Sequence, residues 1–397
     1  MLPGAEITFE NGNLGIVAVN PDGICGLVAS AVATGTFLLN KHYVVYSLKE
    51  AETLGVIPTV LGNYELHKTI KEFYGEAGTG TELWIYGVAK TRTLDQLVED
   101  SRGLIIASNS RVRFITCKYA PSTADTAITA GLRTGFPATL AAAQAIADEF
   151  TIEQTNPIFY IIEGYNFTGV AQDLVGFSQA TNNRVCVMIG DTETRTGVTA
   201  SKGAAVGVLA GKIASSQVHV SAGRVRSGSL KPLNFYIVDT PVHEYNVTAI
   251  HDKGFVTLRT HTRKSGYYIA LDQMACSVAD DYNFLPNRRV IDKAYMLASG
   301  VITDVILDDL NLTATGTLTS FDAAAIETEI ERVIAQEMTA NSELSADVTK
   351  KGDSGVKASI DLTERVGTTR KIKGKIKVRP KGYALWLEFS IGFDINS

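Results

Sequence analysis

Cysteine is scarce in this chain and never paired. Four occur in 397 residues (Cys25, Cys117, Cys186 and Cys276), with no CxxC spacing. That excludes a disulfide framework or a thiolate zinc ribbon and reads as reduced, mostly buried thiols made in a cytosol. The six histidines include no HxH or HxxxH pair, so the spacing that holds a metal is missing. No apolar run approaches the ~20 residues of a membrane span. The opening MLPGAEITFENGN has neither a basic nor an apolar region of the kind a secretory leader needs, so none is expected. Charge is also sparse: 20% of residues are charged and the net charge is −5, which gives no global field for nucleic acid or a membrane surface.

What the chain does have is length and apolar patterning. With 397 residues and 45% hydrophobic content it can bury real cores, and at ~150 residues per domain it suggests two or three of them. The apolar, small-residue run Ile24 to Ala33 predicts a buried strand, followed by a strand at Tyr43 to Ser47 and a short helix from Leu48 to Gly55. Tyr64 to Tyr74 places Leu66, Ile70 and Phe73 on one helical face, with Gly75 as the stop; Glu82 to Val88 then reads as a strand. The alternation continues through Arg113–Tyr119 (strand), Pro137–Phe150 (helix), Ile158–Glu163 (strand), Val170–Ala180 (helix) and Arg184–Ile189 (strand). Strands alternating with helices imply an α/β layered domain over residues 21–240.

Past residue 240 the character changes, and residues 241–382 read as an α+β domain. Two short strands, Phe255–Arg259 and Tyr267–Leu271, precede a helix from Arg288 to about Leu297. A second helix, capped by Ser320 or Asp322, carries the one-sided stripe Ile326, Ile330, Val333, Ile334 and Met338. The stretch Arg370 to Ile395 predicts a hairpin turning at Pro380-Lys381-Gly382.

Signals for catalysis are weak. Gly207-Val-Leu-Ala-Gly211-Lys212 falls short of a phosphate loop: Val206 stands where a glycine is required and Ile213 where a hydroxyl is required, so a small-residue helix packed closely on its neighbours is the simpler reading. Gly176-Phe-Ser178-Gln-Ala180 approaches a nucleophile elbow, with His219, His243, His251 and His261 downstream as bases that spacing cannot choose between. Asp280-Asp281 and Asp308-Asp309 read as turn and cap residues. No catalytic, cofactor or metal site is assigned; an α/β hydrolase using Ser178 or a nucleotide-binding enzyme using Lys212 remains the alternative class.

The tail is the strongest signal. From Tyr383 to Ile395 every odd-numbered residue is apolar, including Leu385, Leu387, Phe389, Ile391 and Phe393. Such a strand spans about 43 Å at ~3.3 Å per residue, long enough to leave its own domain and join a neighbour's sheet. Residues 383–397 are therefore expected to be a C-terminal arm, and residues 1–20, with the extended Ala5–Phe9 before a turn, an N-terminal one. Between Arg365 and Lys381 lie eight cations and no acid; Lys373, Lys375 and Lys377 share one strand face opposite Ile372 and Ile376. That is either lysine protection of an edge strand or a basic stripe for an acidic partner.

In order, these segments resemble the tail sheath proteins of contractile bacteriophages and related injection systems. The Pro3-Gly4 opening is similar to the family's N-terminal arm, and Cys25 to Gly35 to its first core strand. Leu66 to Val88 resembles its helix, glycine turn and strand; Ala204 to Ser216 its glycine-alanine helix; and Asp281-Tyr-Asn-Phe-Leu-Pro-Asn-Arg288-Arg289 its double-arginine element. Ser265-Gly-Tyr-Tyr-Ile-Ala departs from the family's tryptophan-containing strand. The resemblance implies a mixed-sheet sheath core with extended arms and no enzymatic activity. The subunit would form a helical homopolymer of stacked hexameric rings around a tail tube protein. Baseplate and tail terminator proteins would be further partners, and nucleic acid and membrane would not. Assembly would occur in a bacterial host's cytoplasm, the product residing in a virion tail. Contraction would be relaxation of a metastable polymer, needing no nucleotide. Ile7, Phe9, Leu385, Leu387, Phe389, Ile391 and Phe393 would then pair between subunits, and Arg288, Arg289, Lys373, Lys375 and Lys377 are the basic residues that would face the tube.

Overall fold

The structure is a computed structural model and describes residues 20–391 apart from 124 and 198–199. The chain divides into two units, Met1–Asp292 and Lys293–Ser397. Residues 241–292, which composition groups with the C-terminal part, lie in the first.

The first unit is organised around Cys25–Ala31 (β1), buried at every position. A strand covered on both faces and both edges has no polar side, which explains its unbroken apolar and small character. It pairs in parallel with Leu83–Ala89 (β3) on one side and Phe114–Lys118 (β4) on the other. Phe159–Glu163 (β5) and Val185–Met188 (β6) continue the parallel run, and His42–Val45 (β2) closes the far edge antiparallel to β3. The six-stranded mixed sheet thus has the order β2-β3-β1-β4-β5-β6.

The crossovers fix the layers. Leaving β1, the chain passes through Leu48–Thr53 (α1) and Tyr64–Ala77 (α2) to reach β3; leaving β3, it returns through Leu94–Ala107 (α3) across β1 to β4. Right-handed crossovers made in opposite directions place their helices on opposite faces. Phe136–Glu153 (α4) accordingly packs with α3, and Val206–Ala214 (α5) packs with α2. That second contact depends on the spacing of Gly207 and Gly211. A Cβ on Gly207 would lie 2.3 Å from the Thr69 carbonyl oxygen, and one on Gly211 would lie 2.4 Å from that of Phe73. The glycines sit inside a helix whose backbone touches its neighbour, as the small-residue reading expected.

Several local expectations are corrected. Gly75 does not stop α2, which runs to Ala77 and ends at Gly78 with φ +82°. Val170–Ala180 is not a helix: only Ala171–Asp173 makes a 3-10 turn, and Phe177 N instead donates to Lys253 O, taking the backbone away from an internal ladder. Helix α3 was missed, although Thr93-x-x-Gln96 marks its start, with Thr93 N donating to the Gln96 side chain. Val256 bridges Met188 in parallel, and Leu258–Arg259 (β7) pairs antiparallel with Tyr268–Ile269 (β8) as expected. The helix placed at Arg288 is longer, Leu285–Asp304 (α6).

In the second unit Ser320–Ile334 (α7) is capped by Thr319, whose hydroxyl accepts from Asp322 N, and a π turn, Ala335–Thr339, prolongs it. Ala323, Ile330, Ile334 and Met338 are buried along one side. The hairpin expected over Arg370–Ile395 is instead formed by Val356–Ile360 (β9) and Gly374–Val378 (β10), antiparallel.

Replacing Gly211 by valine forces α2 and α5 apart at a backbone contact, and a loss of about 1–3 kcal/mol is expected from overpacking. Chemical denaturation of the variant measures it; unchanged stability would mean that the glycine spacing does not limit the approach.

Candidate assembly site

The β9–β10 hairpin has two unlike faces. Val356 and Ala358 are buried, and Ile360, Ile376 and Val378 half-buried, on the face turned toward α7. Lys357, Lys375 and Lys377 are exposed on the other. A two-stranded sheet cannot stand alone in water, and α7 covers only part of its apolar face. Beside it lies a groove of about 710 Å³ whose walls include Ile306, Leu312, Ile326, Ile360, Ile372 and Ile376. Ile306, Leu307 and Leu312 are exposed at this rim. Clustered exposed apolar side chains of this kind mark a surface meant to be covered.

The basic stripe is partly neutralised within the subunit. Lys373 Nζ lies 2.5 Å from Glu364, and Arg379 lies 2.5 Å from Asp353. The hydrogen bond from Arg379 is the main reason the Asp353 carboxyl is pulled down to about 2. Of the three lysines on the β10 face, Lys375 and Lys377 have no carboxylate within ion-pair distance among the described residues, so they are the free cations of that face.

The predicted arm residues fall differently. Ile7, Phe9 and Phe393 lie outside the described residues. Leu385, Leu387, Phe389 and Ile391 expose 69, 69, 89 and 102% of their surface and belong to no ladder among the described residues. Arg288 and Arg289 are turned inward. Arg288 lies over the Tyr282 ring and bonds Asp292 at 2.7 Å, beside the Arg184–Asp292 pair at 3.0 Å. Arg289 donates to the carbonyls of Ser216, Gln217 and Asp22. Asn20 also donates to the Ala214 and Ser216 carbonyls at the end of α5.

The other candidate chemistry is not brought together. Ser178 is exposed in a turn, not on a strand-to-helix elbow. Lys212 lies in α5 with Glu76 at 3.8 Å. All four cysteines are free and buried. Asp280 accepts from Tyr282 N, a turn role. Sequence reasoning missed a buried ionic cluster at the carboxyl end of the sheet. Lys118, ending β4, lies 3.0 Å from Glu163, ending β5, and 3.1 Å from Glu65 of α2; Lys68 lies 2.5 Å from Asp191. Glu163 also accepts from the Tyr119 and Ala204 amides. The chain passes directly above: a Cβ on Gly203 would sit 2.1 Å from Glu163 Oε2. Burial opposes charge on Lys118, and Glu163 and Glu65 outweigh it, holding the ammonium well above the usual lysine range. The gap outside the ends of β4 and β5, one strand along from the β1–β4 switch point, is thus filled by the protein's own ions. Lys118→Met would leave Glu163 and Glu65 buried without their counter-charge, and a loss of about 3–5 kcal/mol is expected in denaturant unfolding. A near-neutral result would mean that the cluster is solvated or protonated.

Compared with known proteins, no curated protein matches the chain in sequence. In structure it is similar over its whole length to contractile sheath subunits. Similarity to the helical sheath of the anti-feeding prophage in its contracted state has TM-score 0.62 at 14% identity, covering 99% of each chain. For the sheath complex of the extracellular contractile injection system PVC, contracted, the values are 0.61 and 11%, covering 100% of this chain and 98% of that one. For a sheath tail protein from Desulfitobacterium hafniense they are 0.53 and 9%, covering 95% and 100%. The fold is therefore the sheath fold that the sequence resemblance implied. Residues 2–272 match the DUF2586 N-terminal domain, and the chain belongs to the DUF2586 family.

Proposed function

We propose that the chain is the structural subunit of a contractile sheath, polymerising around an inner tube and contracting to drive that tube through a target envelope. The observation that carries this reading is the end-to-end likeness to contracted sheath subunits, joined to an exposed, strand-patterned tail and an uncovered apolar groove. The N-terminal segment with Ile7 and Phe9, and the tail from Leu385 to Phe393, are the arms that complete sheets in adjacent copies. Main-chain hydrogen bonds suit such a mesh because they persist while subunits rotate and slide. The partners are further copies in stacked hexameric rings, the tube protein, and the baseplate and terminator proteins at the two ends. The particle is built in a bacterial cytoplasm and acts as a tail or an injection device, with no catalytic step in the subunit.

Removing residues 384–397 is expected to leave a folded subunit, with circular dichroism and melting close to the intact chain, that forms no tubes under negative-stain microscopy. Normal tubes from the truncated chain would overturn the arm assignment. Lys375 and Lys377 are the unpaired lysines of the β10 face and are free to meet an acidic tube surface. Charge reversal at both (Lys375→Glu, Lys377→Glu) should weaken co-sedimentation with the tube most at low salt, since screening removes the difference. Binding that is equal to wild type at every ionic strength would assign the lysines to edge protection alone.

A further inference from the structure

Strand addition needs an edge, and one of the two edges of this hairpin is already closed. The strands β9 and β10 exchange ladder bonds through odd-numbered residues: Arg379 N donates to Gly355 O at 2.7 Å and Asp361 N to Lys373 O at 2.8 Å. Between them Lys357 stands opposite Lys377 and Ser359 opposite Lys375. In an antiparallel pair, the residues between these turn their N–H and C=O groups outward. Val356, Ala358 and Ile360 therefore present the outer edge of β9, and Gly374, Ile376 and Val378 that of β10.

On β9 the outward amides are taken. Glu331 Oε1 accepts from Ala358 N at 2.9 Å, and Glu327 Oε1 accepts from Ile360 N at 2.6 Å. Residues four apart on a helix rise ~6 Å, and alternate residues of a strand ~6.8 Å, so α7 presents its carboxylates in near register with those amides. Lys357 at 3.0 Å further fixes Glu331. Amide bonds to a carboxylate are charge-assisted and stronger than those an incoming strand would offer. No such guard stands at Gly374, Ile376 or Val378 among the described residues.

We infer that Glu327 and Glu331 close the β9 edge and thereby direct strand addition to β10, where the guest is the Leu385–Ile391 strand of a second copy. This rests on the sheath reading and adds the edge to it. The choice of guest follows from both faces. Laid beside β10, the odd-numbered apolar residues of the tail continue the apolar face over the groove. The even-numbered ones, Glu388 among them, fall on the side of Lys375 and Lys377. Placed beside β9, the same strand would displace two carboxylates and lie away from Ile372 and Ile376.

Hydrogen-exchange mass spectrometry of the full chain, before and after polymerisation, tests this directly. Exchange at Gly374, Ile376 and Val378 should be lost in the polymer, with residues 356–360 unchanged; the reverse pattern would overturn the inference. Ile376→Pro removes one outward amide while the ladder bonds at 375 and 377 remain, a position where an edge strand tolerates proline. This variant is expected to stay folded and to form no tubes. Tubes as abundant as wild type would also overturn the inference. A wild-type chain that never polymerises would sink the sheath reading itself, whereas tubes with unprotected β10 amides would sink only the choice of edge.

Discussion

A β-hairpin with one free edge and half a roof is the constraint around which the C-terminal unit is arranged. Two strands cannot bury their own apolar face, and α7 supplies cover for β9 but leaves the groove beside Ile372 and Ile376 open. The subunit therefore carries an unsatisfied demand of two kinds: outward backbone groups on β10 and apolar side chains lining the groove. A single extended strand with alternating apolar residues meets both demands at once, and the tail has that pattern. Under the proposed function, the cost of leaving this surface open in the free subunit becomes the driving force for joining copies, since burial of apolar area is the dominant favourable term in association.

The N-terminal unit answers a different requirement. At the carboxyl end of its sheet Lys118, Glu163, Glu65 and the chain at Gly203 fill the gap between β4 and β5. Buried ion pairs contribute little net stability but are costly to break one partner at a time, which ties α2, two strand ends and a loop into one rigid body. Rigidity there is reinforced by α2 and α5 touching through Gly207 and Gly211. Under the proposed function this body transmits displacement, and both devices keep it from deforming.

Much of this was legible in the sequence where periodicity and burial agree. Strands β1, β3, β4, β5 and β6 are short apolar runs between glycines and helices, and each was found close to its observed bounds. Legibility failed where tertiary contacts replace local ones. Val170–Ala180 has helical spacing, yet its amide at Phe177 bonds Lys253, a partner that no local pattern announces. The tail hairpin was misassigned because the lysine strand has two eligible partners in sequence. Val356-Lys357-Ala358-Ser359-Ile360 alternates as cleanly as the tail, and it is the strand that packs on α7. Arg288 and Arg289 looked like surface cations; only the fold reveals the carboxylate and carbonyls that hold them inside.

The low identity to the sheath subunits, 9 to 14% over nearly the entire chain, is compatible with the proposed connection, which is made by the backbone. A strand added to an edge is held by N–H and C=O groups that every residue but proline carries, so drift of outward side chains leaves the joint intact. What must persist is alternation in the guest, one open edge in the host and one closed. Under the proposed function, closure by Glu327 and Glu331 follows the same logic from the other side: a promiscuous second edge would let copies join in more than one geometry, and a helical sleeve tolerates only one. Specificity of assembly here is therefore carried as much by the edge that is denied as by the edge that is offered.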